Sequence, residues 1–352
     1  MRSPEPPGTD QPRGTIVFLG ALMLLWPALL NWHPYLFWDT YSYFLQGKAY
    51  ARLLLAAVGL APAPPEVEAG WIGAAGRMLL DDRAIRSLSW SLLTYGVAAG
   101  AGFWTLAAVN ALAAAATVEL ALVRLFHLPA PWRALLMVGL GTLTSLPWFA
   151  TFLMPDLHAG LLILAAAVLV CAWPSLRRRE RWALGILYLA TITFHLSHLL
   201  LAVALAAVAA LLPASLAERR ARTLRLGLPV LVAGALMALL GWLGFGELAL
   251  APRGPPFLLA RSWEDGPARA YLVAICPEAG WAICPHLDRL APDAQEFLWR
   301  NRDSYWSMSP AEREAVRAQE TAILTAAVAA APLEQLHAAL ANAIAQVGRF
   351  GL

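Results

Sequence analysis

Four short stretches carry the side chains from which chemistry could be built. WDTYSYFLQGK brings Asp39, Tyr41, Tyr43 and Lys48 together just after the apolar run LGALMLLWPALL. MPDLH holds Asp156 and His158, FHLSH holds His195 and His198, and GRMLLDDRAIRSLSWSLLTYG holds Arg77, Arg83, Arg86 and Tyr95. A carboxylate can serve as general base toward a hydroxyl, and arginines beside it can hold a phosphate through paired N–H donors. Imidazoles add hydrogen bonds, and two neighbouring carboxylates raise the pKa of one of them.

Each group also has an ordinary structural role open to it. Asp39 suits the N-terminus of an interfacial helix, DTYSYFLQGKAYARLLL, and Asp156, following Pro155, suits the start of LHAGLLILAAAVLV. His195 and His198 stand at i, i+3, a spacing that lets them face the same side of a turn, where satisfying backbone groups is the commoner task. Tyr41 and Tyr43, with Trp32 and Trp38, fit an aromatic belt at a membrane surface. No short cluster has zinc spacing, so no metal ligand and no cofactor is assigned, and a divalent ion stays open.

The elements that must position these groups are read from composition. The 352 residues are 59% hydrophobic and 14% charged, with mean hydropathy +0.58, which excludes an ordinary soluble enzyme. The net charge of +3 comes from arginines set in short blocks between apolar runs. Such blocks are topology signals; no nucleic-acid pattern accompanies them. Lys48 is the only lysine.

Apolar runs predict spans near 15–31, 101–123, 133–150, 158–174 and 225–246. Residues 183–214 are long for one helix and short for two, and read as two short helices meeting at FHLSH. The fold class is therefore an all-α polytopic membrane protein with about seven transmembrane helices and a small, mainly helical extracytoplasmic C-terminal region. Residues 1–14 are expected to be a flexible cytoplasmic N-terminus, 15–246 the transmembrane domain with a first extracytoplasmic loop at 32–100, and 247–352 the C-terminal region. The first apolar segment lacks a small-residue cleavage site and reads as a retained anchor.

Orientation follows from Lys and Arg, which cytoplasmic loops carry in excess. With the N-terminus inside, Arg124 and Arg133, then Arg177, Arg178, Arg179 and Arg181, then Arg219, Arg220, Arg222 and Arg225 all fall on the cytoplasmic side. Asp39, Asp156, His158, His195 and His198 are thereby collected on the other. Ionisable groups at a membrane are expensive to desolvate and tend to line polar sites. Glu119, inside a predicted span near its cytoplasmic end, is read as snorkelling or as one side of a helix–helix hydrogen bond.

Arg77, Arg83 and Arg86 fall on the arginine-poor side and need another explanation. A helix in the interface would bury Leu79, Leu80, Ile85 and Leu88 and offer these arginines to phosphates, either of lipid heads or of a lipid-phosphate substrate.

This order of features resembles the GT-C superfamily of membrane glycosyltransferases. The matching residues are Asp39 in WDTYSY, Arg86 with Tyr95 in RSLSWSLLTYG, and Asp156 in MPDLH, within residues 15–250. The first loop lacks a DxD or Asp-Glu pair, and Arg86 is not followed by a Pro-Tyr-Pro run. The resemblance implies sugar transfer from a polyprenyl-phosphate carrier to an acceptor at the outer face of the inner (plasma) membrane, serving the cell envelope. In that reading Asp39 is the general base, the arginines hold the departing lipid phosphate, and Asp156 orients the acceptor or tunes Asp39. The histidines assist by hydrogen bonding, and the partners are the polyprenyl-phosphate lipid and membrane lipids. Members of this superfamily continue with further spans, so the chain reads as an abbreviated homologue or a fragment.

The rival classes are a transporter or flippase using FHLSH as a helix break, and a noncatalytic envelope assembly factor. Inverted repeats, which would favour transport, are not visible. In the C-terminal region Cys276 and Cys284 bracket CPEAGWAIC, close enough to form a disulfide in an oxidising compartment. Asp265, Arg269, Asp288 and Trp299 are read as structural, with acceptor recognition as the alternative. Ser309, Pro310 and Glu312 announce a helix whose apolar stretch TAILTAAVAAA is too short to span.

Overall fold

The computed structural model describes residues 13–60, 86–250, 254–276, 278–300 and 302–348; among these, regular structure is helical apart from one isolated bridge between Tyr35 and Phe152. The chain divides into two compact units, Met1–Pro252 and Arg253–Leu352.

The first unit contains α1 (Arg13–Leu24), α2 (Trp26–Leu30), α3 (Trp38–Ala57), α4 (Leu88–Ala101), α5 (Phe103–Arg124), α6 (Ala130–Leu143), α7 (Leu146–Thr151), α8 (Leu157–Cys171), α9 (Arg178–Thr193), α10 (Leu196–Leu211) and α11 (Leu216–Phe245). Of the first unit's described helices, α5 and the Leu216–Leu243 part of α11 are each long and apolar enough to cross a membrane. Several expected spans are instead broken. The run 15–31 is interrupted between α1 and α2, where Pro27 lacks an N–H for the helix ladder, and 133–150 divides at Thr144–Ser145 ahead of Pro147. Helices such as α1, α8 and α10, at about 1.5 Å per residue, run only ~18–24 Å against a hydrocarbon core of ~30 Å. The expected pair meeting at FHLSH is present as α9 and α10, separated where His195 takes an extended backbone.

Small residues let the helices approach. Ala111, Ala114 and Ala115 of α5 are fully buried against Leu24 of α1 and Leu161 of α8. Gly47 of α3 lies so near α4 that a Cβ there would overlap the Ser91 carbonyl. By contrast Leu224, Leu228 and Leu231 of α11 stay exposed, as a lipid-facing surface would.

Several arginines of the basic blocks turn inward. Arg133 of α6 pairs with Glu119 of α5, both almost wholly buried, so the expected alternatives for Glu119 resolve to an interhelical ion pair. Arg124 donates to both Glu180 oxygens at 2.9 and 3.1 Å. The guanidiniums of Arg181 and Arg225 each lie 4.5 Å from the Trp173 ring centroid.

The second unit comprises α12 (Phe257–Asp265), α13 (Pro267–Ile275), α14 (Ala294–Trp299), α15 (Pro310–Ala330) and α16 (Pro332–Val347). Trp263, Phe297, Val316 and Ile323 share its core, and a disulfide joins Cys276 to Cys284. Ser309 caps α15 by accepting from the Glu312 N–H, while Glu312 accepts from the Ser309 N–H. The helices α15 and α16 together have the hydropathy of a span but are bent by 104° at their junction.

Candidate functional site

Three turns of the first unit are tied to one another. The Tyr35 N–H donates to the Thr151 carbonyl at 2.9 Å and the Leu153 N–H to the Tyr35 carbonyl at 3.1 Å. Thr40, fully buried, accepts from the Phe37 N–H and donates to the Leu153 carbonyl, fixing the start of α3 against the turn that carries Asp156. Ser87 caps α4 by accepting from the Trp90 N–H and donates to the Thr193 carbonyl at 2.8 Å, beside the turn that carries His195.

On this frame Asp39 sits in the first turn of α3, and its Oδ1 accepts from Arg86 Nη2. The pair is partly exposed, 20% at Asp39 and 25% at Arg86, so it faces neither bulk water nor a dry core. Asp39 thus has an ion-pair partner on another element, beyond any part it plays in starting the helix. Arg86 lies 6.0 Å from the centroid of the buried Tyr43 ring, and its buried Nε has no partner among the described residues.

Asp156 is exposed ahead of α8, and its side chain makes no capping hydrogen bond. Its charge is felt at Tyr43, His195 and His198, and that of Arg86 at Tyr43 and His195. His195 caps α10, its Nδ1 accepting from the Ser197 N–H. The buried His198 ring bonds through Nδ1 to the Thr191 carbonyl at 2.8 Å, which makes Nδ1 the donor and leaves Nε2 the acceptor of a neutral ring. His158 lies deeper, its ring 4.9 Å from both Trp90 and Phe194 and close enough to interact with His198.

Asp39, Tyr43, Arg86, Asp156, His195 and His198, with His158 behind them, therefore form one electrostatically connected group. Other candidates lie elsewhere. Tyr41 and Lys48 fall on the side of α3 roughly opposite Asp39, since two and nine residues at about 100° each give a half turn. Tyr41 is exposed and lines an open depression of about 440 Å³ with Leu36, Phe37 and Trp38. Tyr95 packs its ring on Phe44. Arg77 and Arg83 lie outside the described residues. In the second unit, Arg269 lies over Trp263, Trp299 stacks on Trp306, and Asp265 is engaged by Arg261 and Asn342.

Sequence reasoning missed Gln46. Its Nε2 donates to the Arg86 carbonyl at 2.7 Å and its Oε1 accepts from the Arg86 N–H at 3.2 Å. Asp39, Tyr43 and Gln46 recur at helical spacing, i, i+4, i+7, and this was the available signal. Among the described residues no three His, Cys, Asp or Glu side chains converge to hold a metal ion.

Fold and site together define a chain that is helical among its described residues, with helices apolar enough to span a membrane, and that gathers carboxylate, guanidinium and imidazole groups at its inter-helix turns. No protein-family model matches the sequence, and no curated protein or solved structure matches it either.

Proposed function

We propose that this chain is a membrane glycosyltransferase that moves a sugar from a polyprenyl-phosphate carrier to an acceptor hydroxyl. The observation carrying the reading is the partly exposed Asp39–Arg86 pair, whose buried Arg86 Nε has no partner among the described residues. In the reaction, Asp39 takes the proton as the acceptor oxygen attacks the anomeric carbon, the bond from that carbon to the phosphate oxygen breaks, and Arg86 receives the negative charge of the leaving phosphate. A single displacement inverts the anomeric centre. Asp156, His195 and His198 orient the acceptor.

The same reading assigns the chain to the inner (plasma) membrane, with its N-terminus cytoplasmic and residues 247–352 extracytoplasmic. It counts about seven crossings by joining α1 to α2 and α6 to α7 as bent spans.

A second reading, transport or flipping of a polar or lipid-linked solute, draws on Ser91, Thr94 and Asn110. These are fully buried on α4 and α5 and have side-chain polar atoms without partners among the described residues. Reconstituted protein given a labelled polyprenyl-phosphate sugar and an acceptor separates the two. Transfer that falls about 10²-fold or more in Asp39→Asn, with lipid-phosphate binding retained, supports catalysis. Donor or solute flux without product in the unaltered protein, undiminished in Asp39→Asn, would overturn it.

A further inference from the structure

The helix α16 is docked with its polarity reversed. Gln335, Ala338 and Asn342 are its half-buried positions, whereas Leu333, Leu336, Leu340, Ile344 and Val347 are exposed at 56–78%. At about 100° per residue the apolar stripe is centred nearly opposite the half-buried face. Polar bonds hold this orientation: the Ser262 hydroxyl donates to Gln335 Oε1 at 2.8 Å, and Asn342 Nδ2 donates to both Asp265 oxygens at 3.0 Å. An amphipathic helix packed on a water-soluble unit turns its apolar face inward, so this arrangement needs an apolar phase outside.

We propose that α16 lies in the plane of the bilayer surface, with Leu333, Leu336, Leu340, Ile344 and Val347 among the lipid chains and Gln335 and Asn342 gripping the C-terminal unit. The same chain supplies the reason for choosing lipid. Residues 246–256, at most ~40 Å when fully extended, join α12 to α11, whose Leu216–Leu243 part is long and apolar enough to cross a membrane. A second copy is the weaker fit. The stripe covers only about two heptads, and the flanking positions of a coiled-coil register are His337, Ala339, Ile344 and Gln346 rather than complementary charges. With Glu334 and His337 the only ionisable side chains of α16, binding rests on apolar contact and needs no anionic lipid. The proposal stands whether the first unit transfers sugars or transports them.

The test uses the full chain in zwitterionic nanodiscs on a Cys171→Ser background. An environment-sensitive thiol label is placed at Leu340→Cys, on the stripe, or at Ala341→Cys, exposed but off it. Brominated lipids are expected to quench the label at 340 about threefold more than at 341. Ile344→Cys gives the same readout should Leu340→Cys fail to fold. Equal deep quenching at 340 and 341, as in a helix crossing the bilayer, would overturn the proposal. So would no quenching at either, or quenching replaced by 340–340 disulfide cross-links between copies.

Discussion

Gln46 satisfies both backbone polar groups of Arg86, through an Nε2 bond of 2.7 Å and an Oε1 bond of 3.2 Å. The bonds cross from the middle of α3 to the residue preceding the Ser87 cap, and fix where the guanidinium emerges opposite Asp39. Gln46→Leu strands the Arg86 N–H and carbonyl, each at about 1–3 kcal/mol if water cannot replace the partner. Its melting temperature in detergent is expected to fall and, on the proposed function, lipid-phosphate affinity to fall with it. Unchanged affinity alongside lowered stability would leave Gln46 with no part in positioning Arg86.

The contact between α3 and α4 depends on the absence of a side chain at Gly47. Gly47→Ala puts a methyl group onto the Ser91 carbonyl, and backbone cannot swing aside as a side-chain end can. Overpacking of this kind destabilises by about 1–3 kcal/mol. Thermal unfolding of Gly47→Ala should show it, whereas Gly96→Ala, at a glycine with open space around it, should leave stability nearly unchanged.

Glu119 and Arg133 form a buried pair between α5 and α6. Breaking such a pair from one side leaves an uncompensated charge and costs about 3–5 kcal/mol. Glu119→Leu and Arg133→Leu are each expected to reduce folded yield sharply. The double variant, which removes both charges together, should recover most of it. Single variants that fold as well as the parent would show that the pair contributes nothing to the helix interface.

In the second unit, burial pushes the Glu320 carboxyl above its ordinary value, offset in part by N–H donors including Leu259 at 3.0 Å. A carboxyl raised in the folded state favours folding below its unfolded pKa, and that contribution is lost as pH rises through its folded value. Melting of the second unit should therefore decline across that mildly acidic window. Glu320→Gln keeps an oxygen to accept the Leu259 N–H and should flatten the decline; a decline of the same size in the variant would assign it to other groups.

Much of the architecture is legible in composition and period. The apolar runs announce helices, FHLSH announces the break between α9 and α10, and Ser309 with Glu312 announces the capped start of α15. Helix type and starts depend on local propensity and capping, which neighbouring residues carry. The division of 15–31 and 133–150 was less visible, because hydropathy averages over a window while one proline interrupts a ladder.

What the sequence determined by itself is the helical, apolar character of the chain and the presence of carboxylates, arginines and histidines at its turns. Only the tertiary structure decided that Asp39 meets Arg86 across forty-seven residues and that α16 turns its leucines outward. Those outcomes depend on which helix faces pack together, a property of interfaces between distant segments that local pattern does not encode.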